Sequence, residues 1–145
     1  MPSDSGSQVN QSTGSIITAA IKVHRALGPG LLESAYNICL LYELRKSGLQ
    51  VDAQRAVPII YDGVALDCGY RLDMVIDDRV MVELKAIDRF APIHLHQMLT
   101  YLKLTGYAVG LVINFNVPLL KQGIKRVVNS RALMDVSLPN PDALR

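Results

Sequence analysis

The sequence predicts one α/β domain, a mixed β-sheet flanked by helices, with its elements in the order α-α-β-β-β-α-β-α. Three observations carry this. Apolar residues recur at helical spacing near the start of the chain and again over residues 92–105. Alternating apolar and polar residues, punctuated by turn-forming pairs, fill the middle. A continuous apolar run over 107–114 has the composition of a strand buried on both faces. At 145 residues the chain has the length of one domain with a substantial core.

Taken in order, residues 15–27 read as a helix, with Ile16, Ala19, Ala20, Val23 and Leu27 on one stripe and Thr13 or Ser15 as cap. Gly28-Pro29-Gly30 breaks it. A second helix spans 31–46, with Leu31, Ala35, Ile38, Leu41, Tyr42 and Arg45 along one side, and ends at Ser47-Gly48. Residues 49–61 are extended, with Pro58 marking an edge or a bulge. Asp62-Gly63 is a hairpin turn, 64–76 carries the next strand with a bulge near Cys68-Gly69, and 80–87 returns after Asp77-Asp78-Arg79. Pro92 suits the first turn of the following helix and Gly106 its end. Residues 118–129 read as a final amphipathic helix. The polar stretch 1–13 is expected to be a frayed leader, 14–136 the folded domain, and 137–145, with two prolines, a loose tail.

Composition narrows the function classes. No apolar stretch approaches the ~18 residues of a membrane span, so no membrane partner is expected. The N-terminus lacks a basic-then-apolar signal pattern, which leads us to expect a cytoplasmic protein. Two cysteines, Cys39 and Cys68, are too few for a disulfide framework and lack metal-ligand spacing, and both read as small buried or half-buried apolar residues. A net charge of +2 announces no broad basic surface, so any site for a polyanion has to come from local clustering. Of 13 acidic residues only Glu33, Glu43 and Glu83 are Glu, against a background in which Glu is common.

The informative segment is 70–86. Side chains alternate between faces along a strand, and only registers whose paired numbers have an even sum place Leu72, Met74, Ile76, Val80, Val82 and Leu84 together. A three-residue loop at 77–79 pairs Ile76 with Val80, which sets Asp73 opposite Glu83 with Lys85 pointing the same way. Opposed carboxylates with Cβ atoms roughly 4.5–5.5 Å apart repel. A hard divalent cation such as Mg²⁺, which takes one or two carboxylates and keeps several waters, reverses the sign of that interaction. An adjacent ammonium can then orient or deprotonate a water, the logic of metal-assisted hydrolysis. The plain alternative is a half-exposed hairpin whose charged face is solvated and where Lys85 screens the two acids. A bare Glu-x-Lys is weak without its strand context.

Helices offer further candidates, each with an ordinary structural alternative. Glu33 sits in the first turn of the second helix, either a helix-start acid or an extra ligand for metal or water. Gln97 and Tyr101 are four apart on the helix after Lys85 and share a face, either as surface polar groups or as a pair that holds phosphate or Lys85. Lys121, Lys125 and Arg126, with Arg131 beyond, form a basic stretch free of acids, either a solvated face or a track for a phosphate backbone. His24, His94 and His96 lack zinc spacing.

The order of Glu on an early helix, Asp on a strand, Glu-x-Lys on the next strand and Gln-x-x-x-Tyr on the following helix resembles the PD-(D/E)xK nuclease superfamily. More closely, Gly30-x-x-Glu33-x-x-Tyr36, Gly69-Tyr70-Arg71-x-Asp73, Val82-Glu83-Leu84-Lys85-Ala86 and Asn114-Phe115-Asn116-Val117-Pro118 resemble the bacterial GxxExxY proteins. The resemblance runs over about residues 16–129. It implies a restriction-endonuclease-like sheet, with Mg²⁺ or Mn²⁺ bound by Asp73, Glu83 and the carbonyl of Leu84, Glu33 assisting, Lys85 activating water, and Gln97 positioning Lys85 or a phosphate. Leu72 stands where the "PD" proline would be, a departure the superfamily tolerates.

The expected function is metal-dependent hydrolysis of phosphodiester bonds in nucleic acid, with DNA as the substrate. Lys85, Glu83, Asp73, Glu33 and Gln97 are the catalytic candidates and Tyr101, Lys121 and Lys125 the substrate-binding ones. Two rivals stay open: a non-catalytic nucleic-acid-binding or assembly module that keeps the fold, and a hydrolase of small phosphoesters. Cutting both strands of a duplex would call for a homodimer, though the sequence marks no interface.

Overall fold

The structure is a computed structural model that describes residues 4–130. Its elements are α1 (Asp4–Leu27), α2 (Glu33–Lys46), β1 (Val51–Ala56), β2 (Ile59–Tyr61), β3 (Val64–Leu66), β4 (Arg71–Ile76), β5 (Val80–Lys85), α3 (Pro92–Thr105), β6 (Val109–Asn114) and β7 (Ile124–Val128), with a 3₁₀ turn at Leu120–Gly123. Five strands form one sheet in the order β1-β4-β5-β6-β7, and β2 and β3 pair only with each other as a separate hairpin. β5 and β6 run parallel, joined by α3, while the other neighbours are antiparallel. The sheet is therefore mixed, as expected.

Both faces of the sheet are covered. On one, Met74, Ile76, Val80, Val82, Leu84, Leu111 and Ile113 pack against Ile16, Ala20 and Val23 of α1 and Tyr36, Leu40 and Leu44 of α2. On the other, Leu72, Val75, Met81 and Val112 pack against Met98, Tyr101 and Leu102 of α3. β6 is buried along its whole length, in keeping with its apolar run. Gly110 lets α3 approach the sheet, since a Cβ there would collide with the Met98 side chain.

Four expectations need correction. First, α1 begins at Asp4 rather than Ser15, so the part of the polar leader from Asp4 onward is helical. This stretch is held by tertiary contacts: Val9 joins the core, Ser12 and Thr13 are buried, the Ser12 hydroxyl donates to Asp77, and Arg126 donates to Asn10. Second, the buried face of α2 is Tyr36, Leu40 and Leu44, while Ile38 and Tyr42 of the expected stripe are exposed. Third, the extended regions 49–61 and 64–76 are each split, the first at Val57-Pro58 and the second by the loop 67–70, which the Asp67–Arg71 ion pair spans and which leaves Cys68 exposed rather than buried or half-buried. Fourth, the final helix over 118–129 is instead a short 3₁₀ turn followed by β7. The order after α3 is therefore β-β rather than β-α. Ile124, Val127 and Val128 are β-branched and suit a strand, and β6 offers them an open edge to pair with. Gly123 marks the entry, where a Cβ would strike the backbone oxygen of Asn114. The expected tail, 137–145, lies outside the described residues.

Candidate active site

The β4–β5 hairpin has the register the alternation implies. Met74 pairs with Val82, Val75 with Met81 and Ile76 with Val80, each pair summing to 156. The next pair, Asp73 and Glu83, is joined through side chains. The Asp73 backbone N–H donates to Glu83 Oε1 at 2.7 Å, and the Leu84 N–H donates to Asp73 Oδ2 at 2.8 Å. Each carboxylate thus takes one N–H from the opposite strand and has a second oxygen left over.

Asp73 can turn this way because the β1–β4 ladder is interrupted beside it. The ladder runs with constant register on both sides of Asp73, yet the pair with Gln54 is missing, and Gln54 has a left-handed φ of 55°. Non-glycine residues seldom adopt that region, and it carries strain on the order of 1–3 kcal/mol when held. The same twist moves Leu72 out of the core beneath Met74 and into the one beneath α3.

Electrostatics tie four of the expected residues together. Glu83 is pushed up to about 7, first by burial and then by the Asp73 carboxylate; the Asp73 N–H and Lys85 oppose the shift and Glu33 adds to it. Glu33, from the first turn of α2, is also raised, by partial burial and by Asp73, against Lys85. Asp73, Glu83, Lys85 and Glu33 therefore share one field, contributed by β4, β5 and α2. Lys85 forms no hydrogen bond or ion pair through its ammonium among the described residues and is only partly buried.

The turn that delivers Glu33 is pinned by Tyr36. Its hydroxyl donates to the Gly28 carbonyl at 2.6 Å and accepts from the Leu31 N–H at 3.1 Å, while its ring stacks on Phe115 at 4.5 Å. His24 donates through Nε2 to the Val117 carbonyl, tying α1 to the same region. The chain leaving Lys85 is held by Asn114, which is buried. Its amide bonds both the N–H and the carbonyl of Ile87, at 3.1 and 2.9 Å, and accepts from Asn116 N–H.

The model of the PD-(D/E)XK nuclease superfamily matches residues 10–127, well over half of the chain. The chain belongs to the PD-(D/E)XK nuclease superfamily. No curated protein and no solved structure matches it. The mixed five-stranded sheet flanked by helices is the restriction-endonuclease-like fold of this superfamily, whose members act on nucleic acid and typically use divalent metals. No helix among the described residues is long and apolar enough to cross a membrane.

Whether this chain suits such a metal can be tested on its donors. Among the described residues no group of three or more His, Cys, Asp or Glu side chains is gathered around one point. Asp73 and Glu83 are close-set, each with a free oxygen. That fits a hard cation that takes one or two carboxylates and keeps water in its other positions, and does not fit a closed all-protein cage.

The remaining candidates divide. Gln97 and Tyr101 share a face and are bonded, Gln97 Nε2 donating to the Tyr101 hydroxyl at 3.1 Å. Tyr101 stands beside the acids, its phenol raised by burial and then by Glu83. Gln97 makes no hydrogen bond to Lys85. Lys121 and Lys125 do not form a helical i, i+4 pair: Lys121 is in the 3₁₀ turn and Lys125 on β7. Lys125 nevertheless pairs with Val112, which pairs with Glu83, so the three share a sheet face. Two strand spacings put the Lys125 backbone about 10 Å from Glu83. Its ammonium lies over the Phe90 ring at 5.8 Å. Arg126 faces the other way, onto α1. Tyr70 was not singled out as a site residue by sequence; it packs edge-on to Tyr101 at 6.1 Å, and its place directly before Arg71-x-Asp73 was the available signal.

The stored repulsion is measurable. At pH 8 in EDTA, Asp73→Asn should melt higher than wild type by up to a few degrees, from roughly 0.2–1 kcal/mol of relieved cross-strand repulsion. Added Mg²⁺ should then stabilise wild type more than the variant. A variant that melts lower in EDTA and responds equally to Mg²⁺ would exclude a paired site.

Proposed function

We propose that this chain is a metal-dependent nuclease that hydrolyses phosphodiester bonds in nucleic acid, with DNA as its substrate. The observation that carries this is the Asp73–Glu83 pair, two coupled carboxylates with Lys85 on the same strand, in a chain of this superfamily. Asp73 and Glu83 would hold Mg²⁺ or Mn²⁺. The Leu84 carbonyl is the third candidate, because the N–H and C=O of a strand residue point to the same edge and the Leu84 N–H already reaches Asp73. The bound cation supplies charge neutralisation at the phosphate and makes water more acidic. Lys85, with no competing partner, orients the attacking water and takes or holds its proton. Glu33, at the open rim, holds a second water or completes the ligand set. Gln97 and Tyr101 orient a phosphate oxygen, and Lys125 and Lys121 attract the strand beyond it. The motif with Gly30, Glu33 and Tyr36 supports membership among the GxxExxY proteins, and its Tyr36 supports the turn that presents Glu33.

Incubation with single- and double-stranded DNA and RNA, in Mg²⁺, Mn²⁺ or EDTA, tests the proposal. DNA should be cut with either metal and not in EDTA, and binding should weaken steeply with salt. Metal-independent binding with no cut substrate would favour a non-catalytic binding module.

A further inference from the structure

Beside the carboxylate pair, between α3, the start of β2 and the loop entering β4, lies a cleft of about 470 Å³ lined chiefly by Ile59, Tyr70, Ile93, Gln97, Thr100 and Tyr101. We infer that this cleft receives an unpaired nucleobase, so that the preferred substrate is a single strand, or a duplex opened at the scissile position, rather than continuous duplex. The inference rests on the nuclease proposal and narrows its substrate.

Four observations support it. The cleft and the acids meet at Tyr101, which lines the cleft and lies in the field of Glu83 and Asp73. Its wall also includes His94 and His96 but no Lys, Arg, Asp or Glu, so it carries no permanent charge with which to track phosphates. The guanidinium next along the chain from Tyr70, on Arg71, is engaged by Asp67 at 3.1 Å. Tyr70 is 45% exposed and meets Tyr101 edge-on, at 62° between planes, so the two rings do not stack on each other. Ile93 is 67% exposed at the mouth. Base–aromatic stacking is the means by which proteins grip single strands irrespective of sequence. Gln97 donates one N–H to Tyr101, which leaves its second N–H for the phosphate and its carbonyl oxygen for the edge of a base. A stacked base inside a duplex can reach such a cleft only after unpairing and unstacking, which costs a few kcal/mol.

The test uses the full chain, a mixed-sequence single-stranded DNA, the same strand with one abasic site walked along it, and the matching duplex. Binding is read by fluorescence anisotropy in EDTA and cutting in Mg²⁺. The single strand should bind at least about 10-fold tighter than duplex at equal salt, and an abasic site at one position should weaken binding by roughly 5- to 150-fold, the scale of one base stacked on an aromatic ring. Tyr70→Ala and the exposed Ile93→Ser should bring the intact strand down to the abasic level and remove the sensitivity to the abasic site, while Tyr70→Phe keeps it. Equal handling of duplex and strand, or variants that weaken intact and abasic strands by the same factor, would overturn the inference, as would binding indifferent to Tyr70 and Ile93, the outcome expected if an apolar protein segment occupies the cleft. Base-dependent binding without cutting of any substrate would keep the cleft assignment and remove the nuclease proposal. Base-independent cutting would do the reverse, and failure to bind any oligonucleotide would remove both.

Discussion

Lys85→Ala should lower the rate of DNA cleavage by about 10²-fold or more, the usual scale for losing a general acid–base group, with fold and metal binding kept. The side chain is only partly buried and its ammonium has no hydrogen-bond or ion-pair partner among the described residues, so truncation leaves no buried group unsatisfied. Lys85 does hold Glu83 and Glu33 down. Its removal raises both, so rates are compared over a pH series rather than at a single pH. Lys85→Arg separates two roles. A guanidinium keeps the charge and cannot give up its proton in the working pH range. If Lys85 handles a proton, the Arg variant stays as slow as Ala; if it supplies charge alone, Arg recovers most of the rate. Single-turnover rates of the three proteins decide this, and an Ala variant as fast as wild type would take Lys85 out of the chemistry.

Metal-free protein should lose stability as pH rises from about 4.5 to about 7. Glu83 has an ordinary value of 4.5 in the unfolded chain and is pushed up to about 7 in the fold. Between those values the folded state binds more protons than the unfolded state, so unfolding free energy falls as pH rises and is fully reduced above 7. The span corresponds to a loss on the order of 3 kcal/mol, or roughly 10 °C in a domain of this size. Glu33, raised in the same direction, adds to the slope. Asp67, pulled down by its Arg71 hydrogen bonds, and Asp78, pulled down by Tyr107, act in the opposite sense but below pH 4, outside this window. Glu83→Gln should flatten the profile between pH 5 and 7.5 in EDTA. Mg²⁺ competes with the proton, so it should stabilise wild type far more at pH 8 than at pH 5. Thermal melts across pH check this, and parallel profiles for wild type and Glu83→Gln would refute it.

How much of this was legible in the sequence follows from what each feature depends on. The β4–β5 register could be read because it is local: a three-residue turn and strict alternation leave one pairing that buries the apolar residues, and Met74–Val82 confirms it. α3 was equally clear, since Pro92 and Gly106 punctuate both ends and Gly106 takes the left-handed cap with φ 84°. Features set by distant partners were not. The polar residues before Ser15 are helical because Ser12 reaches Asp77 and Asn10 reaches Arg126, contacts spanning 65 and 116 residues. The α2 stripe was misplaced because Ile38 and Tyr42 are as apolar as the Leu40 and Leu44 that are buried. Residues 118–129 have the amphipathic pattern of a helix, whereas the open edge of β6 decides the conformation of β7. In the site, sequence placed Asp73 opposite Glu83, but the crossed N–H bonds depend on the twist at Gln54. The raised Glu83 depends on burial in the folded chain, and the contact of Tyr70 with Tyr101 on the course of a loop that alternation does not fix.

The central claim is that Asp73 and Glu83 form one divalent-metal site. Titration calorimetry with Mn²⁺ at pH 8, on wild type, Asp73→Ala and Glu83→Ala, tests it most directly. The account predicts saturable binding to wild type that is lost in both variants while their circular dichroism stays that of a folded α/β domain. Equal Mn²⁺ binding by all three folded proteins would contradict it.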